Sequence, residues 1–82
     1  MTLRDIVRMA NQIADFFQAY PHEIAVRDTA AHIRNFWDPR MRRQLFAHLA
    51  AGGQGLSEVA LEAGRKLAEE QAAKQKAAPA KA

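Results

Sequence analysis

Apolar residues recur along this chain at spacings of three and four, with no run that alternates as a half-buried strand would. The first set is Leu3, Ile6, Ala10, Ile13, Phe17 and Tyr20, one face of a helix that starts after Thr2. Asp5, three residues on from Thr2, makes a weaker form of the capping box. Val7 and Ala14 widen one flank of the face, and Met9 and Phe16 widen the other. The apolar arc therefore covers roughly half the helix. Pro21 ends this helix or opens the next, which is expected from about His22 to Phe36, with Val26, Thr29, Ala30, Ile33, Phe36 and Trp37 on one face and Ile24 opposite.

Pro39 disfavours a helical conformation at Asp38. That places Asp38 as an N-cap and Pro39 at the first position of a third helix, where its missing N–H costs nothing. This helix runs to about Ala51 with Met41, Leu45, Phe46 and Leu49 as its apolar arc. Gly52-Gly53-Gln54-Gly55 breaks it, and Ser57 caps a fourth helix whose narrow stripe is Leu56, Val59, Ala60, Ala63 and Leu67. Glu62 with Lys66, and Glu70 with Lys74, are spaced as favourable i,i+4 pairs. From Ala72 onward only Ala, Lys, Gln and Pro occur, which predicts a frayed helix end and a disordered tail. The expected fold is all-α: a small three- to four-helix bundle over residues 1–71, followed by a disordered Ala/Lys-rich tail over 72–82.

With 82 residues the chain holds one domain, and a core of this size contributes only a few kcal/mol of net stability. There is no cysteine, so neither a disulfide nor a thiolate-held metal can brace it. Support has to come from good helix packing, self-association or a partner. The net charge of +3 points at first to nucleic acid, but up to Gln71 nine basic residues face nine acids, and the excess is Lys74, Lys76 and Lys81. A neutral body argues against a basic phosphate-binding face. No apolar run reaches the roughly 20 residues that span a bilayer, and the N-terminal residues lack the pattern of a signal peptide, so a cytoplasmic chain without a membrane partner is expected.

Chemistry-bearing residues are sparse. His22, His32 and His48 fall on three different helices with no metal-ligand spacing, and Ser57 has a capping role. No catalytic, cofactor-binding or metal-binding set is expected. The interest lies in Phe36-Trp37-Asp38-Pro39-Arg40-Met41-Arg42-Arg43. Arginines at a helix N-terminus oppose its positive dipole end, so these serve something other than their own helix. Arg40 and Arg43 project away from the apolar arc of the third helix. Arg42 falls inside it, between Leu49 and Phe46. It then either covers Phe46 with its stem, with Asp38 or Asp28 as partner, or pairs across an interface. Trp37 is expected as a core anchor at the corner between two helices, with an interface role as the alternative. Met9, Phe16 and Tyr20 are either buried by a central first helix or form a partner-binding flank. Asn11 and Gln12 are solvated or bond a partner. The competing reading is a helix-turn-helix nucleic-acid binder, with Arg40, Arg43, Gln44 and His48 facing a groove.

Met9-Ala10-Asn11-Gln12-Ile13, Phe16-Phe17 and His32-Ile33-Arg34-Asn35-Phe36-Trp37-Asp38-Pro39-Arg40-Met41-Arg42-Arg43-Gln44 together resemble the delta subunit of cytoplasmic NAD-dependent formate dehydrogenases. The likeness spans roughly Leu3 to Gly64, and its specific part is Phe-Trp-Asp-Pro-Arg-Met-Arg. The resemblance implies a non-catalytic accessory chain without a cofactor of its own, supporting assembly or stability of the alpha subunit. It implies an alpha subunit that oxidises formate at a molybdenum or tungsten bis-pterin centre with iron–sulfur clusters. It further implies beta and gamma subunits that pass electrons through FMN and more clusters to NAD. On that footing the expected contact surface is Trp37, Asp38, Arg40, Arg42 and Arg43, with Met9, Phe16 and Tyr20 second.

Overall fold

All four expected helices form in a computed structural model of the chain, which describes residues 1–77: α1 Leu3–Phe17, α2 His22–Phe36, α3 Pro39–Ala50 and α4 Glu58–Ala77. No strand occurs among the described residues. The residues expected as a frayed end are helical as far as Ala77, and the expected tail beyond them lies outside the described residues. No helix among the described residues is long and apolar enough to cross a membrane.

The helix starts follow local chemistry. Thr2 and Asp5 close a full capping box, each side chain accepting from the other's backbone N–H at 3.2 Å. The Thr2 backbone hydrogen bond, helped by the Thr2 side chain and by Arg8, holds the Asp5 carboxyl below its usual 3.8. The box therefore persists above the ordinary carboxylate range and is lost only as pH falls through the lowered value. Pro21 caps α2 with no side-chain bond, and Asp38 caps α3 by accepting from the Met41 N–H at 2.9 Å, with Pro39 at the first helical position. Ser57 Oγ accepts from the Ala60 N–H at the start of α4.

Small residues let the helices approach closely. Ala10, Ala14, Ala25, Ala30, Ala60 and Ala63 are buried, joined by the larger Ile6, Ile33, Leu45, Leu67 and Trp37. A methyl group on Gly64 would stand 2.8 Å from Leu49 Cδ1, so α3 and α4 meet where a side chain is missing. The most extensive packing joins α2 to α4, and α1 touches all three other helices. Consecutive α2 and α3 pack on each other least. The buried line of α1 is Ile6, Ala10 and Ala14, with Val7, Met9, Ile13 and Phe17 half-buried beside it. The buried face is turned slightly toward Ala14, Leu3 is exposed at the first position of the helix, and Tyr20 lies beyond the helix, exposed. On α2, Ala25 takes a core place, while Phe36, expected on the core face, is 74% exposed.

Polar ties fix the helix order. His22 Nε2 and Glu62 Oε2 lie 2.9 Å apart, and Arg34 grips Glu70 with bonds of 2.9 to 3.2 Å. These pairs link α2 to α4 and replace the expected Glu62–Lys66 and Glu70–Lys74 pairs, because α2 brings an imidazole and a planar guanidinium alongside the same carboxylates. Exposed pairs of this kind contribute ~1 kcal/mol or less and mainly set alignment. Asn11, expected to face solvent or a partner, is used internally. Its Nδ2 donates to Gly55 O at 2.9 Å, and its Oδ1 accepts from the Ser57 N–H at 2.8 Å. One α1 side chain thereby holds the loop before α4, which turns on Gly53 at φ +69°, where a Cβ would meet Leu61 Cδ1 at 2.5 Å.

Thr29 is fully buried and its hydroxyl has no hydrogen-bond partner among the described residues. Replacing it with valine (Thr29→Val) removes an unpaired polar group at nearly constant shape, and is expected to stabilise the fold by ~1 kcal/mol. Thermal unfolding followed by circular dichroism should show a rise of several degrees, since about 1 kcal/mol moves Tm by roughly 4–8 °C in a domain this small. Asn11→Ala is expected to act the other way, lowering Tm by a similar or larger amount, because the Ser57 N–H loses its acceptor.

Candidate functional site

The corner between α2 and α3 is built by four consecutive residues. Phe36 ends α2 and points outward, whereas Trp37 leaves the helix in extended conformation and turns its indole into the core, 5% exposed. Asp38 and Pro39 then start α3. The burial of Trp37 follows from the register of α2: it continues the line of Ile33 and Ala30, while Phe36 sits at the edge of that arc.

Arg42 locks this corner. Its Nη1 donates to Trp37 O at 2.5 Å and to Arg34 O at 3.2 Å. The last carbonyls of a helix lack intrahelical partners and carry its negative dipole end. Arg42 therefore supplies the charge that α2 needs, and is positioned to do so only because it is one turn into α3. Neither Asp38 nor Asp28, the acids expected from the sequence, is its partner: Asp38 is bonded to the Met41 N–H and Asp28 to Arg27. Arg40 and Arg43 differ from it. Both are exposed, and neither has an ion pair or a side-chain hydrogen bond among the described residues.

Beside the corner, Met9, Ile13, Phe16 and Phe17 of α1 face His32 and Trp37 across a groove of about 370 Å³. Phe16 packs edge-on against Phe17 with ring centres 5.0 Å apart, and Tyr20 lies 6.1 Å from Phe17 on its other side. The His32 and Phe36 rings lie 4.8 Å apart. Phe16 and Phe36 are each 74% exposed and Tyr20 is 52% exposed. Large aromatic groups left in water around a groove are the mark of a contact surface.

The structure thus sorts the expected contact residues into kinds. Arg40, Arg43, Phe16 and Tyr20 are exposed, Met9 is half-buried in the groove wall, and Asp38 is an exposed cap. Trp37 and half-buried Arg42 hold the corner together. Phe36 was missed as a surface residue, and half-buried His32 was not expected in a groove wall. The signal for Phe36 was present, since two large aromatics in succession cannot both follow a single helical face. Of the residues assigned to a nucleic-acid groove, His48 is committed elsewhere, with Nε2 2.6 Å from Gln54 O.

The fold also gathers His22, Glu58 and Glu62, with potential ligand atoms within 4.8 Å of one another. Spacing along the chain could not show this, since His22 and Glu62 are 40 residues apart. All three groups are exposed to water, Glu62 already pairs with His22, and an acid at Glu58 suits the first turn of α4.

Removing the guanidinium with Arg42→Ala leaves the terminal carbonyls of α2 to solvent and is expected to destabilise the fold by ~1–2 kcal/mol. The loss should be read as a lower Tm for the isolated chain, with Arg42→Lys giving a smaller drop because one ammonium replaces a planar fork. An unchanged Tm would remove the corner lock.

No curated protein and no solved structure matches this chain. Among protein families, residues 5–63 match the one described as the NADH-dependent formate dehydrogenase delta subunit FdsD. That match takes in α1 from Asp5 onward, α2, the corner, α3, the loop held by Asn11 and the first part of α4. The chain belongs to the family of formate dehydrogenase delta subunits.

Proposed function

We propose that this chain is a non-catalytic accessory subunit that supports assembly or stability of the cofactor-bearing alpha subunit of its formate dehydrogenase, docking through the aromatic groove and the adjoining corner. The observation that carries this reading is the exposure of Phe16, Phe36 and Tyr20 around a groove, on a chain whose family is a subunit of a larger enzyme. The chain's own polar groups have structural duties: Ser57 caps α4, His22 pairs with Glu62, His48 meets Gln54 O, and Asn11 holds a loop. Conversion of formate and NAD+ to CO2 and NADH then belongs to the other subunits, with their molybdenum or tungsten bis-pterin centre, iron–sulfur clusters and FMN. The complex works in the cytoplasm, and the beta and gamma subunits share it with this chain. Burial of the aromatic side chains on the alpha subunit would supply the apolar area that a bundle built largely on alanine lacks.

Anchoring aromatics typically cost ~2 kcal/mol or more each when lost from an interface. The double variant Phe16→Asp, Phe36→Asp is therefore expected to reduce co-purification of the tagged chain with the alpha subunit at least tenfold. The isolated variant should keep its helical circular dichroism, since both positions are outside the core. Full recovery of the complex with this variant would end the proposal.

A further inference from the structure

We infer that the partner surface covering the corner is acidic: an apolar side chain that enters the groove, flanked by carboxylates that meet Arg40 and Arg43. The inference rests on the docking reading above and concerns the chemistry of what docks.

Cations elsewhere on the molecule are only partly answered internally, since Arg4, Arg65, Lys66 and Lys74 also lack an ion pair among the described residues. Arg8 pairs with Asp5, Arg27 with Asp28, and Arg34 with Glu70. Arg42 is satisfied by carbonyl oxygens. Arg40 and Arg43 have no such answer among the described residues, and they are three positions apart in the first turns of α3. Like charges at that spacing repel, and the positive end of the helix adds to the penalty. The one neighbouring acid, Asp38, is occupied by the Met41 N–H. Two unpaired like charges in the first turns of a helix are a local cost that carboxylates of a partner would relieve.

The charge also adjoins the groove. Trp37 lines the groove, and Arg40 is three residues further on, so their Cα atoms are separated by at most about 11 Å. Arg43 lines a second cleft with Pro39, Arg42 and Phe46 on the α3 side of the corner. One partner surface can therefore reach both features. Arginine at both positions favours carboxylates held bidentately. Phosphates would meet the same geometry, but the body of the chain is neutral and the neighbouring surface is aromatic, which favours a protein.

The test is binding of the full chain to the remaining formate dehydrogenase subunits, purified without it, at low and high salt. Arg40→Glu with Arg43→Glu is the variant, and Arg42 is kept because it holds the corner. Binding is expected to weaken at least tenfold at low salt, with the gap narrowing as salt rises, because screening acts on exposed charge pairs. Arg40→Lys with Arg43→Lys should recover part of the loss. If charge reversal leaves binding unchanged while Phe16→Asp, Phe36→Asp abolishes it, docking stands and the acidic partner is overturned. If neither variant changes binding, the docking reading itself fails. Salt-sensitive binding of the wild-type chain to a DNA duplex, lost on charge reversal, would assign the arginines to phosphates and overturn the inference.

Discussion

Close approach of helices over small side chains is the constraint on which the rest of this molecule depends. Among the described residues, six of the eleven buried hydrophobic ones are alanines, and Gly64 sits against Leu49 where α3 and α4 meet. Such contacts bring helix axes near together and give well-fitted packing, but each alanine removes little apolar area from water. Room remains for only a few large groups, Ile6, Ile33, Leu45, Leu67 and Trp37. Phe16, Phe36 and Tyr20 have no place inside. Limited core area and stranded aromatic surface are thus two results of the same packing choice, and a chain with both is suited to being completed by a partner.

Electrostatics divides the arginines of α3 in a way that serves this arrangement. Arg42 reaches back to the carbonyls of Arg34 and Trp37, joining the two helices that otherwise pack on each other least. With the corner held, Trp37 stays inward and Phe36 outward, and Arg40 and Arg43 are displayed beside the aromatic groove. The internal tie and the external surface are therefore coupled. Asn11 plays the corresponding part at the other end of α3, holding the glycine loop so that α4 returns along α2.

Much of the fold was legible because it depends on neighbours in the chain. The capping box at Thr2, the Asp38–Pro39 start of α3 and the cap at Ser57 are contacts between residues three apart, and all three form. Legibility ended where a choice depended on another helix. Glu62 and Glu70 had local lysines at suitable spacing, yet a histidine and an arginine of α2 won them. Asn11 looked like a solvated residue because its partners lie 44 and 46 residues away. The proposed contact surface was half legible: the aromatic surplus on α1 and the arginine cluster could be counted, but whether a given aromatic is inside or outside depends on how the helices pack. Leu3, though in line with buried Ala10 and Ala14, is exposed at the very start of α1, and the edge position of Phe36 was enough to leave it in water.

By itself, then, the sequence determined the helices and their starts, the neutral body, the absence of thiol chemistry, and a resemblance that the family match bears out. These follow from short-range backbone energetics and composition. Tertiary structure alone decided which arginine is structural, which aromatics remain on the surface, and which carboxylates are taken. Those outcomes turn on distances between helices far apart in sequence, and such distances exist only once the helices have packed.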